Sequence, residues 1–453
     1  MSESAGEADK LRPGPRRVAI VGAGVGGMAA AYDLAQAGCR VTLLEADQHV
    51  GGLASGFRQS HWDWSVEKFY HHWFASDRDI LGFIRELGWQ DQVFFARPVT
   101  VVYHQERFYP LDSPLAVLRF PGIPFPDRLR VGAVIGYLRY LAAWPRLERV
   151  TAHEWLRRWI GRRSYQALWE PLLVGKFGPH YQQVNMAWFW ARFKVRTPRL
   201  GTFRGGFQAF MDRLGERLRQ VGAELRLSTP VQRVEPRENG GLALYTEAGE
   251  EHFDQCLVTT SPGLLARLAP GLAGPYLQGL LALQSMGAVV LVLALRQRLS
   301  EQGYYWHNLP KAAGFPFLSL VEHTNFVSPE HFGGEHIVYC GDYLDPHHEY
   351  FSLSQEVLLD RFLPALQRIN PKFTRDWVRE SWLFRTRYAQ PVPPLNHSRS
   401  IPDIKTPLPG LWFASMSQVY PWDRGTNFAV QIARRAAARM LRERGASAAG
   451  EGQ

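Results

Sequence analysis

A short β-branched run, Val18 to Val21, delivers the chain into Gly22, Gly24 and Gly27 with the spacing G-x-G-x-x-G. No other stretch constrains the fold so tightly. Ala-rich residues of good helix propensity follow as far as Ala37, where Gly38 stops them, and a second apolar run from Val41 to Leu44 ends on Glu45. This is a complete βαβ unit with a phosphate-binding turn. Gly22 permits the tight exit from the strand, Gly24 lets a pyrophosphate approach the backbone, and Gly27 lets helix and strand pack closely. The amides that open the helix face the anion. Glu45, 18 residues beyond Gly27, stands where a carboxylate accepts hydrogen bonds from the hydroxyls of an adenosine ribose. An Arg at that place would favour a 2′-phosphate, and there is none. Val25 and Ala46 flank these positions and are expected on the same wall.

The next residues favour FAD over NAD. Gly51 and Gly52 follow Glu45 closely, a second place where backbone approaches a cofactor with no side chain between. Here the chain resembles the flavoprotein superfamily that includes amine oxidases, protoporphyrinogen oxidases and phytoene desaturases. Those proteins carry the dinucleotide turn, a Glu and a G-G-R/L-x-x-S/T element, matched by Gly51, Gly52, Leu53 and Ser55, with Ala54 between. The usual Arg is Leu53 here, which removes that Arg from the charge balance of the site.

Composition narrows the rest. A chain of 453 residues, 46% hydrophobic and 21% charged, is long enough for two or three domains with a large core. Cys39, Cys256 and Cys340 are scattered with no C-x-x-C pair, which points to a reducing, cytoplasmic setting and against a disulfide framework or a metal site. The +10 formal charge is spread along the whole chain, mostly as Arg, the pattern of a solvated surface and not of a nucleic-acid footprint. Attraction to anionic lipid or to an acidic substrate stays open. Residues 1 to 16 are polar and lack an apolar core, so they read as a loose leader and not a signal peptide. The uncharged run Leu268 to Leu295 has the length of a membrane span, but Pro270, Gly271, Gly274 and Pro275 break it and its Val-rich end reads as a buried strand.

Further along, HWDWSVEKFYHHWF (61–74) is dense in aromatics and histidine. In the resembling families this segment passes the flavin into the substrate cavity, which makes Tyr70, His71 and His72 wall candidates. Ser76 with Asp79 resembles a capping box for a helix over 77–87, and Thr151 with Glu154 another. Phe94 to Tyr109 reads as two strands joined by HQER. The helix expected over 129–141, apolar on one face and flanked by arginines, is expected to cap a substrate tunnel, with a position on a membrane surface as the alternative. Lys176 reads as a substrate anchor or a snorkelling lysine. Glu322, His323, Thr324 and Asn325 interrupt an apolar stretch, which is costly unless they bond to one another or to a ligand, so they too are cavity candidates.

By the resemblance, Val231 holds the adenine edge through its backbone and the loop at Thr260 to Pro262 lies over the dinucleotide. The closing segment, PGLWFASMSQVYPWDRGTNFAVQ, matches the superfamily's last motif, a strand, a loop and a helix that starts under the flavin's pyrimidine ring. Asn427 and Phe428 then open that helix, whose free amides favour a reduced, anionic ring. The usual acidic residue at the strand end is Met416 here, so Asp423 or Arg424 is expected to hold the ribityl chain. The expectation is an α/β protein: a Rossmann-type (GR2-like) FAD-binding domain from 15–75, 200–275 and 400–445, with an interleaved α+β substrate domain from 76–199 and 276–399. Residues 1–14 and 446–453 are expected as disordered tails. The expected activity is hydride transfer from a bulky hydrophobic or amine-bearing small molecule to FAD, with Tyr70, His71, His323 and Tyr388 as catalytic candidates and no metal. The alternatives are a non-redox sugar-nucleotide mutase resembling UDP-galactopyranose mutase, gripping its substrate with Arg387, Tyr388, Tyr420, Asp423 and Arg424, and a non-catalytic FAD-binding protein.

Overall fold

A computed structural model describes residues 15–111 and 113–450. The fingerprint forms strand β1 (Arg17–Val21), helix α1 (Val25–Gln36) and strand β2 (Arg40–Leu44). Three distant segments complete the same sheet: β3 (Glu224–Arg226), β4 (Gln255–Val258) and β5 (Leu411–Phe413). All pair in parallel, in the order β3-β2-β1-β4-β5. Such a sheet is covered on both faces, which is why its strands are continuous apolar runs. Alternate residues divide between two cores. Val18, Ile20, Val41 and Leu43 face α1, the helix Phe207–Gln220 and the closing helix α2 (Thr426–Gly450). Ala19, Val21, Leu44 and Cys256 face the meander of Arg233–Pro236, Leu242–Thr246 and Gly249–Phe253. The stretch 446–450, expected as tail, continues α2, while 1–14 and 451–453 lie outside the described residues.

A second, seven-stranded sheet has Ser285–Leu295 next to its edge, paired antiparallel with the edge strand Val378–Pro391 on one side and with His336–Leu344 on the other. The uncharged run is thus a short helix, Gly274–Ala282, followed by a strand buried on both faces. Among the described residues no helix is long and apolar enough to cross a membrane. One sheet face packs on the helix Gln355–Ile369 and the other on an aromatic cluster around Trp62, Tyr305 and Tyr339. A layer of helices, including Phe125–Tyr140, Ala152–Ile160, Glu170–Phe177 and Met186–Val195, builds a separate core around Tyr165, Phe177 and Trp188.

Two local expectations change. Phe94 to Tyr109 gives three strands, Val93–Ala96, Thr100–His104 and Arg107–Pro110, because the run breaks at 97–99, where Pro98 has no amide to give a ladder; HQER is the turn between the last two, with Gln105 and Glu106 at φ +47° and +62°. The helix Arg78–Glu86 has no side-chain cap of its own, since Ser76 donates its hydroxyl to the Val195 carbonyl. Its free amides at Asp79 and Ile80 are instead satisfied by the Asn427 side-chain oxygen, at 2.9 and 3.1 Å. By contrast Thr151 Oγ1 accepts from the Glu154 amide as the sequence suggests.

Candidate active site: a cavity shared by the two sheets

The C-terminal ends of β1, β2 and β4 open into a cavity of about 520 Å³, bounded on the far side by Ala288, Val290, Gly341 and Tyr388 of the second sheet. Its near end is the glycine turn, and each glycine does a different thing there. A Cβ at Gly27 would lie 2.0 Å from the Gly22 carbonyl oxygen, and Gly22 itself sits at φ +103°. These two are demanded by the chain's own packing. At Gly24 a Cβ would meet nothing within 4 Å, so the chain's own packing does not demand a glycine there and the space is open to a ligand. Gly51 donates its amide to the Ala23 carbonyl at 2.9 Å, and Gly52 lies against Gly24, which brings the second glycine pair onto the first. Glu45 accepts from the amides of Ala23 and Asp47, at 2.6 and 2.9 Å, and keeps further lone pairs on the cavity side. Backbone free of side chains, a helix N-terminus and a carboxylate are the donor and acceptor set of an adenine-linked pyrophosphate and ribose. These residues fit FAD.

Most of the expected cofactor wall is brought together. Gly22, Gly24, Val25, Gly27, Glu45, Ala46, Gly51, Gly52, Leu53, Ala54, Val231, Thr260, Met416 and Arg424 all line this cavity, as do Tyr70, His71 and Tyr388. Four expected residues do not, besides His72, whose ring packs edge-on against Phe74 and Trp306. Asp423 is turned away: Oδ1 accepts from Trp188 Nε1 at 3.0 Å, and Oδ2 accepts from Arg192 and Arg196 at 3.1 and 3.0 Å. Burial would raise its pKa, but Lys176, Arg196 and Arg192 outweigh that and hold it below the ordinary carboxylate range. Asn427 is spent on the helix it caps, and Phe428 stacks on Trp422 at 5.8 Å. On α2 it is Thr426, Ala429, Ile432 and Ala433, one helical face, that look into the cavity.

His323 is the fourth. It packs among Phe326, Phe332 and Tyr339, and burial lowers its pKa to about 4. Its neighbours in sequence are likewise consumed by the fold. Both Glu322 oxygens accept from the Ser300 amide, Thr324 Oγ1 accepts from the Ile337 amide, and Asn325 donates to the Tyr304 carbonyl. The polar interruption is therefore a satisfied core cluster. The helix Phe125–Tyr140 contributes nothing to the cavity wall either, so the tunnel-cap expectation fails; its Val131, Val134 and Leu138 face the helical core.

On the wall itself, His71 Nδ1 meets the Phe69 carbonyl, and burial lowers the ring's pKa to about 4. A neutral ring donating from Nδ1 leaves Nε2 as an acceptor. The Tyr70 hydroxyl lies 3.4 Å from Ser319 Oγ, and burial raises its pKa. Tyr388 is held between Ser415 and Ser417, at 2.9 and 2.7 Å, and also accepts from the Ser417 amide. Sequence reading missed Thr259, whose hydroxyl lies within bonding distance of the carbonyls of Val21 and Gly22 and locks the turn. Its signal, Thr259-Thr260 directly after an apolar strand, was legible. It also missed Asp342 on the wall, whose Oδ2 stands 2.8 Å from Lys311 Nζ and whose pKa burial raises to about 7.

Known proteins are similar to this chain in sequence and in fold. The chain is 26% identical over 277 residues to the carotenoid phi-ring synthase of Streptomyces griseus, a match covering 55% of this chain and 53% of that one. It thus spans about half the length of that curated relative. In fold it is similar to the cyclohexylamine oxidase of Brevibacterium oxydans, with a TM-score of 0.73 at 15% identity over 95% and 99% of the two chains. It is equally similar to a reduced UDP-galactopyranose mutase, with a TM-score of 0.73 at 14% identity over 94% and 95%. The family described as flavin containing amine oxidoreductase matches residues 25–441. Cavity, glycine turn and family match agree, and this chain belongs to the flavin-containing amine oxidoreductases, with FAD as its cofactor.

Proposed function

We propose that the protein is an oxidoreductase that binds FAD from the glycine turn toward the second sheet and takes a hydride from a bulky, largely apolar small molecule. The observation that carries this reading is Gly24, a glycine whose open side leaves room for a ligand on the wall of a cavity that two separate sheets enclose. FAD bound there supplies a two-electron acceptor that passes its electrons on to dioxygen or a quinone. The chain's own part is binding, orientation and exclusion of water. Ala288, Val290, Phe69 and Ala389 make the wall beyond the expected cofactor positions apolar. His71, neutral through the physiological range, and Tyr70 offer an acceptor and a donor to a substrate hydroxyl or amine.

The same reading proposes the domain division: a cofactor unit from 15–75, 200–275 and 400–445, and a substrate unit from 76–199 and 276–399. It is supported by the origin of all five strands of the parallel sheet in the first set of segments. The grip that a nucleotide-sugar mutase would need is incomplete, since of its five residues only Tyr388 and Arg424 line the cavity. Arg387 is exposed and donates to the Pro346 carbonyl, Tyr388 is held by two serines, and Asp423 is consumed by two arginines. This weighs toward redox turnover.

The test uses Gly24→Val. Because Gly24 has φ −68° and free space at its Cβ, the variant should fold and melt as the parent does. Its flavin content by visible absorbance should fall at least tenfold. A fully yellow Gly24→Val protein would overturn the reading.

A further inference from the structure

Resting on that reading, we infer that the substrate carries an anionic group, a carboxylate or its equivalent, which the Arg424 guanidinium receives at the second-sheet side of the cavity. Arg424 lines the cavity, yet it has no carboxylate within ion-pair distance among the described residues. Asp423, beside it in sequence, is already bound by Arg192 and Arg196. The one side-chain bond Arg424 makes is from Nε to Gln390 Oε1, at 3.1 Å, and its guanidinium lies over the Tyr343 ring at 4.9 Å. Those two contacts fix the plane of the group, while neither terminal nitrogen meets a protein acceptor among the described residues. A half-buried guanidinium held in place with both terminal nitrogens unspent is prepared for a bidentate acceptor.

The surroundings set the sign of the charge. Around one carboxylate, Asp423, stand Arg192, Arg196, Arg424 and Lys176, the last with Nζ 3.2 Å from Gln390 Oε1 and 4.8 Å from the Tyr343 ring centre. Burial, with the neighbouring arginines, drives Lys176 well below the ordinary lysine range; even with it neutral, three guanidinium groups outnumber the two carboxylates, Asp423 and the Asp77 that faces Arg196. The cavity wall holds two carboxylates among the described residues. Glu45 is at the glycine end, and Asp342 is paired with Lys311. An ammonium ion entering past Arg424 would therefore meet uncompensated positive charge in a low-dielectric space, and an anion would meet its complement. This selects, within the expected bulky apolar class, for acids over amines. The residues that hold Arg424 belong to the second-sheet side and not to the glycine turn, since Gln390 and Tyr343 lie in that sheet and Lys176 and Arg192 in the helical layer.

The experiment titrates the FAD-loaded protein with three molecules of one shape and three charges, 2-naphthoate, 2-naphthamide and 2-naphthylmethylamine, and reads the visible flavin band. Naphthoate should bind at least tenfold more tightly than the amide, and the amine more weakly than either. In Arg424→Gln the tenfold advantage should vanish when affinities are compared per bound flavin, whatever flavin the variant retains, and Arg424→Lys should recover part of it. An amine that binds as tightly as the acid overturns the inference in the parent protein alone, however the variants fold. So does an Arg424→Gln protein that keeps the preference, or one that loses flavin with the preference unchanged. A parent protein that takes up no flavin overturns the cofactor reading instead, and the two failures are told apart by that one absorbance.

Discussion

Two buried polar clusters interrupt the apolar interior, and they differ in what is left over. The Glu322–Asn325 cluster closes on itself: every side chain in it has found a backbone group or an aromatic neighbour. The cluster around Asp423 does not close, because Arg192 and Arg196 exhaust the carboxylate and Arg424 keeps unspent donors facing the cavity. Polarity inside a core is paid for in both. What separates a structural cluster from a binding one is an unsatisfied remainder at a wall, since a buried donor left without an acceptor is costly until a ligand supplies one.

The largest effect should come from Asp423→Ala, which strands two arginines. Removing one partner of a buried pair costs about 3–5 kcal/mol, and the lower end is expected because Arg196 keeps part of its surface in water. The loss, read by chemical denaturation at pH 7, should shrink as pH falls. Asp423 is held below its ordinary value, so its stabilisation is present above about 3.8 and disappears as acid protonates it in the folded protein. A penalty constant down to pH 3 would break the contrast.

Glu322 should behave with the opposite sign. Burial raises its pKa despite the hydrogen bonds from Ser300, so the folded state holds its proton where the unfolded chain has lost it. Its contribution is full below about 4.5 and falls as pH rises through the higher folded value. Glu322→Gln should flatten that decline and leave the protein at least as stable as the parent at pH 8. A variant whose stability runs parallel to the parent's from pH 4 to 8 would refute this.

The smallest effect is expected from His323→Phe. The ring is neutral and surrounded by aromatics, so a replacement of similar size should cost under about 1.5 kcal/mol and leave naphthoate binding unchanged. A loss of ligand binding with the melting temperature intact would return His323 to the site.

The glycine end of the cavity was legible because its information is local. Gly22, Gly24, Gly27 and Glu45 sit within one βαβ unit, and strand, turn and helix geometry fixes their relative places before any tertiary contact forms. The same is true of the second glycine pair, a few residues beyond. Sequence alone thus settled the nucleotide fold, the cofactor and the apolar character of the second sheet. It could not rank Asp423 against Arg424, adjacent residues of one loop. Their fates were decided by Trp188, Arg192 and Arg196, whose helix lies more than two hundred residues earlier in the chain and claims the acid while leaving the base facing the cavity. Likewise nothing near Asn427 in sequence reveals that its amide caps the helix Arg78–Glu86. Pairing between distant segments depends on which elements the cores press together, and that is a property of the packed molecule.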